Sequence, residues 1–85
     1  MKTLSQLAQD ALNVQDACNL SGVVHGFSRA MTDLRELLPK AGTDEINHHP
    51  ISIMWASKIA SLTGADDTGN FADAYLYVQK YASES

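Results

Sequence analysis

Cys18, His25 and Arg29 are the residues of this 85-residue chain whose types and spacing come closest to a chemical site. His25 and Arg29 stand one helical turn apart, and Cys18 joins them if the helix extends that far. A cysteine and a histidine on one face invite zinc, so a small-ligand or metal-binding protein lined by these three residues is one reading of the chain. Zinc normally takes three or four ligands, however, and the only other histidines, His48 and His49, fall in a loop. No CxxC, HxxxH or HExxH spacing occurs. His25 is therefore expected to be an ordinary exposed or hydrogen-bonded histidine. His48 and His49 are expected as loop and capping residues, whose protonation a helix N-terminus opposes. No metal and no cofactor is expected.

Other chemistry leaves little trace. The chain has no Gly-x-Ser-x-Gly elbow, phosphate loop or dinucleotide fingerprint. Asp33 and Glu36 share a neighbourhood with Arg29, Arg35 and Lys40, which reads as a solvated charged face rather than an acid–base pair. The expectation is a protein that is not an enzyme.

Aromatic residues offer a different kind of site. Trp55 and Tyr75 lie at helical spacing among apolar neighbours and are assigned to the core. Tyr77 projects roughly opposite Phe71, Tyr75 and Ala82, with Leu76 and Lys80 nearby, and is the first candidate for a partner surface. His25 and Arg29, which point away from the main apolar stripe of their own helix, complete the candidate surface residues.

These side chains have to be positioned by helices. Leu20, Val24, Phe27, Met31, Leu34 and Leu38 recur at steps of four and three, which places them in one stripe of a helix over residues 20–38. That stripe is expected to be core, widened on one side by Val23, Ala30 and Leu37. Thr3 and Gln6 form a capping-box signature ahead of a helix over residues 4–18. A break near Asn19 is required because the apolar faces before and after it point almost oppositely; a break at Gln15 and Asp16 is the alternative. Pro39 and the following KAGTD end the second helix. The segment TDEINHH has room for one helical turn. Pro50 suits the first turn of a helix over residues 50–63, apolar nearly all round and so expected to be the most enclosed, with Gly64 as a left-handed cap. After a loop, in which Asp67, Thr68 or Asn70 can cap, a last helix over residues 69–82 buries Phe71, Ala74, Tyr75, Val78 and Ala82. The expected fold is all-α, a single small four-helix bundle-like domain with short loops.

Cys18, Gly22, Gly26 and Ala30 also form a ridge of small residues, matched by Ser52, Ala56 and Ala60. Two glycines within a helix each cost about 1 kcal/mol relative to alanine, so close approach of the two helices along these ridges is expected.

Composition narrows the function classes. Ten acidic against six basic residues give a net charge of −4, spread along the chain. This argues against binding a phosphate backbone, and the pair Asp66 and Asp67 is too sparse for nucleic-acid mimicry. A single cysteine excludes an intrachain disulfide and is consistent with the cytoplasm. No apolar run matches a secretion signal or the roughly 18 to 20 residues that cross a bilayer.

Three segments carry a resemblance: Val14 to His25 (VQDACNLSGVVH), His49 to Ile51 (HPI), and Lys58 to Gly64 (KIASLTG). Together they resemble a group of small uncharacterised proteins encoded by bacteria and their phages, plasmids and other mobile elements. The resemblance covers the middle of the chain and does not reach its last helix. It implies a cytoplasmic accessory protein of a mobile element, such as an inhibitor or adaptor docking on a host or defence protein, and it brings no site residues with it. Chemistry and resemblance together lead to the expectation of a small non-enzymatic protein-interaction module, binding a protein partner or itself as a homodimer.

Overall fold

The computed structural model describes residues 2–14, 19–65 and 71–83. It is all-helical there: α1 (Leu4–Asn13), α2 (Leu20–Leu37), α3 (Thr43–Asn47), α4 (Pro50–Thr63) and α5 (Phe71–Ser83). No strand occurs among the described residues, and no helix is long and apolar enough to cross a membrane.

Local signals start and stop these helices as their residue types require. The Thr3 hydroxyl accepts the Gln6 amide at 3.1 Å while the Gln6 side chain accepts the Thr3 amide at 2.8 Å, a reciprocal capping box that satisfies two otherwise unpaired donors. Asn19 caps α2 by accepting the Gly22 amide. Pro50 opens α4, where no amide hydrogen is needed. Gly64 closes it at φ 77°, which lets the Ala65 amide reach back to the Ala60 carbonyl at 2.9 Å.

α4 is the centre of the fold. It packs on each of the other four helices, as its all-round apolar character demands, and buries Ile51, Ser52, Met54, Trp55 and Ser57. α5 lies across α1 and α4, using Ala74 and Val78 as its buried residues. α2 packs mainly on α4 and contributes Val23, Ala30, Met31 and Leu34.

The structure meets some expectations and changes others. α1 ends at Asn13 with Val14 as its C-cap, and Leu12 and Val14 still pack against the core; whether a further turn follows up to residue 18, or a break at Gln15 and Asp16, falls outside the described residues. The corner at residues 15–18, including Cys18, lies outside the described residues, as do the capping candidates Asp67, Thr68 and Asn70. The segment at Thr43 is a fifth helix, pinned by Ile46, which is buried in the core. The α2 stripe is only half core: Met31 and Leu34 are buried, but Leu20 and Val24 are 40% and 42% exposed. The buried face is turned towards Val23 and Ala30, because α4 approaches on the Gly26 side.

That approach also revises the matched small ridges. Gly22 and Ala56 are exposed, so the ridges do not interlock along their length. Of the two glycines of α2, Gly26 makes the close approach, and it meets the Trp55 indole rather than another small residue. A β-carbon on Gly26 would lie 2.6 Å from Trp55 Cη2 and 2.7 Å from Cζ3. The missing side chain is the space that the ring occupies.

Beneath this contact, Ser52 ties α3 to α4. Its hydroxyl donates to the Ile46 carbonyl at 2.6 Å, with Met31 Sδ 3.0 Å away, so a buried polar group is satisfied where three helices meet.

Candidate functional site

The outer face of α5 presents the clearest exposed apolar surface among the described residues. Ala74 and Val78 turn inwards, with Phe71, Tyr75 and Ala82 packed beside them on the core. At 100° per residue, Asp73, Leu76, Tyr77 and Lys80 then share the opposite side. Leu76 is 61% exposed and Tyr77 48% exposed, and both charged residues are solvent-facing. Tyr77 leans on Tyr81, their ring centroids 5.9 Å apart and the planes tilted by 31°. This contact, together with the helix, restricts the Tyr77 ring before any partner arrives, which lowers the entropy lost on binding.

His25 and Arg29 are placed elsewhere. They are exposed on α2, and α2 does not pack on α5. The candidate surface residues therefore occupy separate helices rather than one packed cluster. His25 and Arg29, with Asp33, form one wall of a cleft of about 450 Å³. Lys2, Asp10 and Asn13 from the α1 side form the other, and Leu7, Gly26, Ala30 and Trp55 line it between them. Lys2 and Asp10 are engaged with each other at 2.6 Å, the one ion pair among the described residues. Arg29 and Asp33 remain without ionic partners there. Spacing along α2 made His25 and Arg29 visible in the sequence; the α1 wall was not, since nothing local shows that Asp10 and Asn13 come opposite them.

Trp55 borders this cleft but is only 4% exposed. Its Nε1 is buried with no hydrogen-bond acceptor among the described residues, an energetic cost carried by the packing of the ring.

The remaining histidines have structural work. His48 Nδ1 lies 2.8 Å from the Asp44 carbonyl, so the tautomer protonated at Nδ1 donates to the end of α3. His49 is the N-cap of α4, and its Nδ1 accepts the Ile51 amide at 3.2 Å. That role requires an unprotonated Nδ1. Among the described residues no group of three or more His, Cys, Asp or Glu side chains is arranged to hold a metal ion.

A pH dependence follows from His49. Burial lowers its pKa from the ordinary value of 6.5, so the unfolded chain binds the proton more readily than the folded one. Stability from this group is present above the ordinary value and is lost as pH falls through it towards the depressed folded value. Thermal melts from about pH 8 to about pH 5 should show it. His49→Asn keeps a capping acceptor without the titration and is expected to flatten this component of the profile. An unchanged slope in the variant would assign the dependence to other groups.

Comparison of the chain with protein-family models, curated proteins and solved structures returns no significant match. The site therefore has to be judged on its own chemistry.

Proposed function

We propose that the protein is a small non-enzymatic interaction module, in which the four longer helices form a bundle that presents the outer face of α5 to a protein partner. The observation that carries this reading is the exposure of Leu76 and Tyr77 side by side, on the side of α5 away from its packed face. An aromatic ring held on a helix and flanked by an aliphatic side chain is the kind of anchor that dominates protein interfaces. Lys80 supplies a charged rim. The resemblance of residues 14–25, 49–51 and 58–64 to small proteins of bacteria and mobile elements supports a narrower version, an accessory protein or inhibitor acting on a host or defence protein.

The test is co-expression of a tagged and an untagged copy in a bacterium, with mass spectrometry of what copurifies and Tyr77→Glu, in both copies, as the paired variant. A stoichiometric partner, whether a host protein or the untagged copy, present with the wild type and lost with Tyr77→Glu is the expected result, while the helical circular dichroism of the variant stays unchanged because Tyr77 is a surface residue. A partner retained by the variant would remove α5 as the binding face.

A second reading, a small-ligand protein using His25 and Arg29, is favoured by one observation: both residues wall the cleft against α1. Cys18, the third residue of that reading, lies outside the described residues. Thermal-shift screening with zinc, nickel and common metabolites distinguishes the two readings, because a ligand that prefers the folded state raises the melting temperature.

A further inference from the structure

We propose that the partner of the α5 face is a second copy of this chain, packed antiparallel so that the two helices pair Asp73 with Lys80 and Leu76 with Tyr77 across a twofold axis. The inference rests on the reading of α5 as the interaction face and adds the identity of what covers it.

The argument is in the order of the stripe. Among the exposed residues of α5, which also include the small or uncharged Ala72, Gln79 and Ser83, the charged and large apolar ones run acid, apolar, apolar, base: Asp73, Leu76, Tyr77, Lys80. A closed dimer uses the same patch on both copies, so residue i meets residue j and j meets i. With the axis passing between Leu76 and Tyr77, reversal of the stripe sets base against acid at both ends and apolar against apolar in the middle. A parallel arrangement would put Asp73 against Asp73 and Lys80 against Lys80.

Asp73 and Lys80 make no ion pair among the described residues. The helix dipole favours an acid in the first turn and a base in the last, which accounts for the two charges but not for the two exposed apolar side chains centred between them. Antiparallel pairing accounts for all four. One helical stripe is a small patch beside the roughly 1,200 to 2,000 Å² of a stable complex, so the dimer is weak and populated at high protein concentration.

Charge exchange tests the register. Sedimentation equilibrium is run from about 10 µM to about 1 mM, spanning the range of weak association, on wild type, Asp73→Lys, Lys80→Glu, the double variant, and an equimolar mixture of the two single variants. The wild type is expected to approach twice the monomer mass at the upper end. Each single variant sets like charges against each other at both ends and is expected to lose at least tenfold in association. The mixture and the double variant restore opposite charges and are expected to regain it. Unfavourable effects of the substitutions on the helix itself would accumulate in the double variant, whereas register effects cancel there.

A wild type that stays monomeric throughout overturns the inference while leaving a different partner for α5, which the Tyr77→Glu copurification decides independently. Single variants that dimerise like the wild type, or a mixture and double variant that fail to recover, overturn the antiparallel register.

Discussion

Gly26→Leu should cost the fold at least about 3 kcal/mol, the upper part of the range for overpacking a filled core. The β-carbon alone would sit 2.6 Å from the Trp55 ring, well inside van der Waals contact, and leucine adds three further carbons. Helix propensity works the other way, since replacing a glycine within a helix gains up to about 1 kcal/mol. Steric conflict wins, because the ring cannot retreat: Trp55 is buried on the helix that packs against every other. A chain of this length has a total stability of roughly 4 to 13 kcal/mol, so the variant loses a large fraction of it. Urea denaturation measures the change directly. An unchanged midpoint would mean that α2 and α4 do not meet as described.

Trp55→Ala should be comparably damaging, by about 3 to 5 kcal/mol, through lost burial plus the cavity left between α2 and α4. The buried Nε1, which has no acceptor among the described residues, moderates this, because removing such a donor relieves a cost of about 1 to 3 kcal/mol. Trp55→Phe separates the contributions: it keeps much of the ring area, removes the donor, and should be much milder than alanine. The two sites are also coupled, and a double-mutant cycle exposes the coupling. Gly26→Ala is expected to destabilise the wild type but to become neutral or stabilising in a Trp55→Leu background, where the obstructing ring is gone and only helix propensity remains. The same sign in both backgrounds would refute the assignment of Gly26 as the seat of the indole.

Much of this architecture was legible from local rules. Thr3 with Gln6, Pro50 and Gly64 act within a few residues of themselves, so their capping roles needed no knowledge of the remaining chain. The apolar surround of residues 50–63 likewise announced a helix enclosed by others. Periodicity failed where tertiary contact decides. Leu20 and Val24 continue the stripe of Met31 and Leu34, yet no other helix covers them fully, and the rotation of the buried face towards Ala30 follows from the indole seated at Gly26. At the candidate site, the exposed placement of Tyr77 followed from the α5 pattern alone. The cleft did not, since His25 and Arg29 become one of its walls only when α1 packs opposite them.

The extensive packing of α5 on α1 joins the first and last of the five described helices. A chain leaving the ribosome displays Leu7, Ala8 and Ala11 long before Ala74 and Val78 exist to shelter them, so α1 is made before α5 yet secured only once α5 arrives. Contacts of such large sequence separation form after loop closure rather than before it. Synthesis that stops before α5 would therefore release not a shorter version of the same fold but an adhesive intermediate, the natural prey of chaperones and proteases.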